Sequence, residues 1–266
     1  MASSGNSGGN GLVVEREQGL AVVRIDRPAH MNTLSPEVLA QLSEAVPMLI
    51  TDPAVRAIML TGTGTRAFCA GADVTELGGP FDPDRALDGL KAWHHWMIDL
   101  RCCEKLVVSA VNGAAAGGGF GIAMVADLVV AAETAVFKGA FATLGVTPDF
   151  GLGYSLPRAV GDKRAMEIIS SDRRVSAAEA QALGMVAQVF PAHSFAADAR
   201  AYAHGLAAGA RGMQLAKRLM RRGERAAFAD YLLAEAHAQV EAFASEDANE
   251  GVRAFQERRV PRFVGR

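Results

Sequence analysis

The chain has 266 residues, half of them hydrophobic, and a formal net charge of −2. That length supports one large domain with a substantial core, and the near-neutral balance gives no electrostatic case for nucleic acid or an anionic membrane. Three cysteines, two of them adjacent (Cys69, Cys102, Cys103), do not make a disulfide framework, and neither they nor the six scattered histidines have zinc-ligand spacing; a reducing, cytoplasmic setting without a metal site is expected.

Residues 1–11, MASSGNSGGNG, lack an apolar run and read as a disordered tail, not a secretory signal. The β-branched runs 12–15 and 20–25, separated by Glu17, Gln18 and Gly19, predict a hairpin. Ser35 before Pro36 and Glu37 is a helix start. Leu39, Leu42, Ala45, Val46 and Leu49 continue at helical spacing, with Pro47 expected to end the helix early. A strand follows at 57–61. Residues 62–67, GTGTRA, fit a dinucleotide fingerprint by letters, but no helix opens after them, so a plain loop is expected. FCAGAD reads as a second small-residue loop.

A helix is predicted over 84–100, carrying Trp93, His94, His95 and Trp96. Adjacent histidines face different sides of a helix, so one core and one surface histidine are expected. Then comes the stretch the chain is organised around, residues 107–127, VVSAVNGAAAGGGFGIAMVAD. It begins as a strand, passes three consecutive glycines and enters an apolar helix. Glycines there leave backbone N–H groups unobstructed, and a helix N-terminus favours negative charge, so the turn suits an oxygen that becomes anionic during a reaction. A tight turn is the plainer reading of the glycines. A membrane span is rejected, because Ser109, Asn112 and the many small residues make the run weakly apolar.

Strands follow at 128–131 and 135–137, then helices at 154–160 and 164–169. Ser176 with Glu179 forms a capping-box pattern. After Val189 the chain is helical, over 196–208, 213–221 and 225–243. The order predicts an α/β core over 12–195, in which strand–strand–helix units recur, followed by a helical region over 196–266.

Four segments are specific: AFCAGADVTEL, AVNGAAAGGGFGIAMVAD, LGVTPDFGLGYSLPR and ASEDANEGVRAFQERRVPRF. In order and spacing they resemble the crotonase superfamily of enoyl-CoA hydratases and isomerases. The resemblance implies a ββα spiral core with a C-terminal helical trimerisation region, assembly as homotrimers or dimers of trimers, and an acyl-CoA thioester substrate. Coenzyme A then enters with the substrate and no separate cofactor is implied. The family's oxyanion-hole amides fall on Ala72 and Gly118. Positions lining its coenzyme A pocket fall on Ala29, Met31, Ala70, Asp73 and Val74.

The sequence departs from the hydratase pattern. The two glutamates that activate water in hydratases are replaced by Gly121 and Phe141, and nearby Glu133 reads as a solvated charge. Asp149 falls on the position of the acid used by double-bond isomerases, although aspartate between proline and glycine is also an ordinary turn residue. With Phe141 and Phe150 excluding water, a buried Asp149 is expected to have a raised pKa. The implied function is isomerisation of an activated acyl-CoA through a thioester enolate. Hydration by Asp149 and water, and acyl-CoA binding without turnover, are the alternatives.

Overall fold

The computed structural model describes residues 11–73 and 82–266. The expected tail (residues 1–10) and Val74 lie outside these, while Gly11, also assigned to the tail, opens the first strand. Strands β1 (Gly11–Glu17) and β2 (Leu20–Asp26) form the expected antiparallel hairpin, with Val14 opposite Val23. Helix α1 (Pro36–Thr51) starts where Ser35 Oγ accepts from the Val38 amide. Pro47 does not end it: Val46 and Leu49, both buried, hold the last turn on the core, and Lys105 Nζ binds the Leu49 carbonyl at 2.7 Å. Packing overrides a proline penalty on the order of 3 kcal/mol.

Thereafter the chain repeats one device. β3 (Ala57–Gly62), β5 (Leu106–Val111) and β7 (Leu128–Ala132) enter a large sheet, and β4 (Ala67–Cys69), β6 (Ala114–Ala116) and β8 (Val136–Lys138) enter a small one. Helix α2 (Pro83–Cys102) follows β4 and α3 (Gly118–Val125) follows β6, so each turn of the spiral is strand, strand, helix. The large sheet has the order β1-β2-β3-β5-β7-β10, parallel from β2 onward, with β10 at Gln188–Phe190. The small sheet has the order β4-β6-β8-β9, with β9 (Arg174–Ser176) antiparallel to β8. The sequence reading missed β4, β6, β9 and β10, which are three residues each and too short to show a period.

The apolar run that raised the membrane question is split into β5, β6 and α3. Among the described residues, no helix is long and apolar enough to cross a membrane. The GTGTRA segment is a loop held by two buried asparagines. Asn32 Nδ2 and Asn112 Nδ2 both donate to the Ala67 carbonyl, at 2.7 and 2.9 Å, so its glycines serve a turn.

Helices α4 (Leu152–Val160), α5 (Asp162–Ser171) and α6 (Ala177–Ala182) follow β8. At the last, the Ser176 hydroxyl accepts from the Glu179 amide, while the Glu179 carboxylate pairs with Arg173. Helix α7 (Phe195–Ala208) lies on the large sheet, with Ala199 and Ala203 buried. Helices α8 (Arg211–Met220), α9 (Glu224–Phe243) and α10 (Glu246–Gln256) complete the chain, the last unpredicted. Asp127, behind β5, receives Lys217 Nζ at 2.7 Å and Arg221 Nη2 at 3.2 Å. Breaking so buried a pair from one side costs roughly 3–5 kcal/mol, so α8 is anchored to the core by charge as well as by packing.

Candidate active site

The glycine run and the 70–73 loop meet. The small sheet brings them together, since β4 pairs with β6 in parallel just before both segments begin. Gly71 has φ +90, and a Cβ there would lie 3.2 Å from the Gly118 nitrogen and 2.9 Å from the Ala116 carbonyl. Only glycine permits both the conformation and the approach. On the other side, the Leu34 amide donates to the Gly71 carbonyl at 2.8 Å and the Ala70 amide to the Met31 carbonyl at 3.1 Å. Gly118 is the first residue of α3, so its amide has no partner inside the helix. Among the described residues, neither the Gly118 nor the Ala72 amide donates a hydrogen bond. Ala72 is exposed.

Of the other residues carried over by resemblance, Ala29, Met31, Ala70 and Asp73 fall around this junction. Met31 and Ala70 are joined by the bond just described, and Ala29 is exposed in the adjoining single helical turn Pro28–His30. The Asp73 side chain turns inward to Arg27 Nη2 at 3.5 Å and the Thr33 hydroxyl at 3.3 Å.

Asp149 stands over the glycine run. A Cβ at Gly118 would lie 3.2 Å from Asp149 Oδ1 and 2.6 Å from the Phe150 ring. The residue is partly accessible, but Oδ1 itself is buried and has no hydrogen-bond partner among the described residues. Burial pushes the Asp149 carboxyl up to about 7, and its own amide opposes the shift. An unpartnered acid with a pKa near neutrality, beside unpartnered amides, is an arrangement suited to proton transfer at an activated carbon. The apolar wall is Phe150, stacked on Trp93 with ring centroids 6.5 Å apart. Phe141 is buried near Gly139. His94 is buried and His95 exposed, as the helical spacing predicts.

Gly121 has a role that the sequence does not show. A Cβ there would meet the Asp149 and Phe150 carbonyls at 2.7 and 2.8 Å. The backbone of the Asp149 turn occupies the space an acid would need. Glu133 is exposed and accepts from the Ala192 amide at 2.9 Å.

The support for Asp149 comes from α9, and none of it was singled out in the sequence. Phe228, Tyr231, Leu232, Glu235 and Gln239 recur at three- and four-residue spacing and share one helix face. Glu235 is 6 % exposed, and both its oxygens accept from the Gly151 amide at 3.1 Å. Gln239 Oε1 accepts from the Thr147 amide at 3.0 Å. Burial raises the Glu235 carboxyl to about 8, with the Asp149 charge adding to the effect and the Gly151 amide and Tyr231 hydroxyl opposing it. His94 Nε2 stands 4.0 Å from Glu235 Oε1, and burial lowers its pKa to about 4, which leaves it neutral. The signal was present: two polar residues on the buried stripe of an otherwise apolar helix face.

Known proteins resemble this chain over nearly its whole length. Residues 15–266 match the family described as enoyl-CoA hydratase/isomerase. The chain is 35% identical over 255 residues to 1,2-epoxyphenylacetyl-CoA isomerase of Escherichia coli, covering 94% of this chain and 97% of that protein. It is 32% identical over 256 residues to crotonyl-CoA hydratase of Syntrophomonas wolfei, covering 96% and 98%. A solved enoyl-CoA hydratase structure from Mycobacterium avium subsp. paratuberculosis superposes with a TM-score of 0.85 at 32% identity, covering 96% of this chain and 99% of that one. The chain therefore belongs to the enoyl-CoA hydratase/isomerase family, with the crotonase fold.

Proposed function

We propose that this acyl-CoA enzyme is an isomerase that moves a double bond by shuttling one proton. Asp149 removes a proton from the carbon beside the thioester carbonyl of a 3-enoyl-CoA. The charge left behind spreads onto the thioester oxygen, which the Ala72 and Gly118 amides hold. Asp149 then returns the proton to the far carbon of the dienolate, leaving a 2-enoyl-CoA with no change in composition. Each amide is worth on the order of 3 kcal/mol of barrier. Ala29, Met31, Ala70, Asp73 and Val74 are the proposed neighbours of the coenzyme A moiety, with Asp73 contributing backbone. Residues 196–266 are the proposed assembly region of a cytoplasmic homotrimer or dimer of trimers.

The observation that carries this reading is the Asp149 carboxylate oxygen, buried, unpartnered and next to Gly118, while the Asp149 turn itself fills the place of a hydratase acid at Gly121. One acid serves a proton shuttle, whereas concerted addition of water uses two. The test is spectroscopic. Isomerisation of trans-3-hexenoyl-CoA creates the absorbance of a conjugated enoyl thioester, and Asp149→Asn is expected to abolish that gain. Loss of absorbance from a 2-enoyl-CoA at a comparable rate supports hydration instead. Coenzyme A binding without either change supports a carrier.

A further inference from the structure

The Asp149 turn has a shape it does not adopt unaided. Phe150 has φ +49 and Gly151 φ +68, two left-handed residues in succession, the first a bulky aromatic. Such a conformation persists where the surroundings hold it. Here α9 does the holding: Glu235 takes the Gly151 amide with both oxygens, Gln239 takes the Thr147 amide, and Phe228 packs so closely that a Cβ on Gly151 would lie 2.8 Å from its ring. A glutamine would accept the Gly151 bond as well. A carboxyl group at 6 % exposure, facing a second buried carboxyl, is a more demanding choice.

We propose that Glu235 is a positioning residue that clamps the Asp149 turn through Gly151 and, as a second carboxyl buried beside it, shares one negative charge with Asp149, so that the site works with one charge on the pair and fails with two. This deepens the isomerase reading and rests on it. The titratable groups facing Glu235 are Asp149 from the turn before α4, His94 from α2, and Tyr231 from α9 itself. His94 is neutral above about pH 4 and supplies no compensating cation. The Asp149 charge raises the pKa of Glu235, and the coupling acts on both carboxyls. Two carboxyls buried side by side ionise in two steps that belong to the pair, the second proton leaving against the charge of the first.

Glu235→Gln keeps an oxygen for Gly151 and removes the acid. Infrared titration of the buried carboxyl band is expected to show two groups ionising near neutrality in the wild-type protein, and one in either Glu235→Gln or Asp149→Asn. The kcat profile for trans-3-hexenoyl-CoA is expected to be bell-shaped, rising with the first and falling with the second ionisation of the Asp149–Glu235 pair. Glu235→Gln is expected to lose the falling limb. Tyr231→Phe is expected to move that limb to higher pH, because the hydroxyl it removes holds the Glu235 value down. If Glu235→Gln titrates two groups like the wild type, or its profile overlays the wild-type one, the proposal is overturned. Should Glu235→Gln fail to fold, an unmoved limb in Tyr231→Phe overturns it equally. An active Asp149→Asn would instead overturn the isomerase reading, so the two failures are distinguishable.

Discussion

The amide side of the site and the acid side are held in different ways. The segments 70–73 and 117–119 are fixed by backbone pairing inside the small sheet and by glycines that let main chains touch. The turn 147–151 is fixed by side chains reaching from α9, more than eighty positions away in the chain. The first kind of support presents donors that need no reorganisation when charge develops. The second keeps a carboxyl dry and therefore near neutral pKa. Substitution on the amide side should act through geometry at every pH, whereas substitution on the acid side should act through protonation.

The largest effect expected is from Asp149→Asn, with kcat reduced by about 10²–10⁴-fold and coenzyme A thioester binding retained by calorimetry. Gly118→Ala is next. It drives a methyl into Phe150 and against the Asp149 carboxylate, and an amide displaced from the thioester oxygen should cost about 10²–10³ in kcat. Gly121→Glu sharpens the contrast further. Supplying the missing hydratase acid is expected to create no hydration, because the side chain enters space filled by the Asp149 and Phe150 carbonyls. Thermal unfolding should show a loss of roughly 1–3 kcal/mol from overpacking.

Stability against pH separates the two sides with a definite sign. Asp149 rises from an ordinary 3.8 to about 7 on folding, so the fold favours its neutral form. Its contribution is fully present below about pH 4 and is lost as pH rises through about 7. Asp149→Asn should therefore melt higher than wild type at about pH 8 and lose that advantage near pH 4. The upper bound is on the order of 4 kcal/mol, at about 1.4 kcal/mol for each pKa unit. The smallest effect is from Trp93→Ala, which removes the stack on Phe150. It should cost about 0.5–1.5 kcal/mol from the lost aromatic pair, beyond the area exposed, measured by denaturant unfolding.

The same division explains what could be read in the sequence. The amide side was legible, since three successive glycines and the Ala70–Asp73 loop are local signals, and their strand neighbours show an apolar period. Asp149 was legible by its place in a recognisable segment. Glu235 was not. It becomes a site residue only once α9 packs across the 147–151 turn, a tertiary event with no local mark except a polar residue in a buried stripe. The role of Gly121 was likewise hidden, because the absence of a side chain says nothing about which backbone lies against it. Strands β4, β6, β9 and β10 escaped for the opposite reason: three residues carry too little pattern to announce a strand that long-range pairing then fixes.

A crystal structure with a non-reactive 3-enoyl-CoA analogue tests the central claim most directly. The account predicts the thioester oxygen about 3 Å from both the Ala72 and the Gly118 nitrogens, with Asp149 Oδ1 facing the carbon next to the carbonyl. A thioester oxygen bound away from these two amides, or an acyl chain lying on the far side of α3 from Asp149, would contradict it.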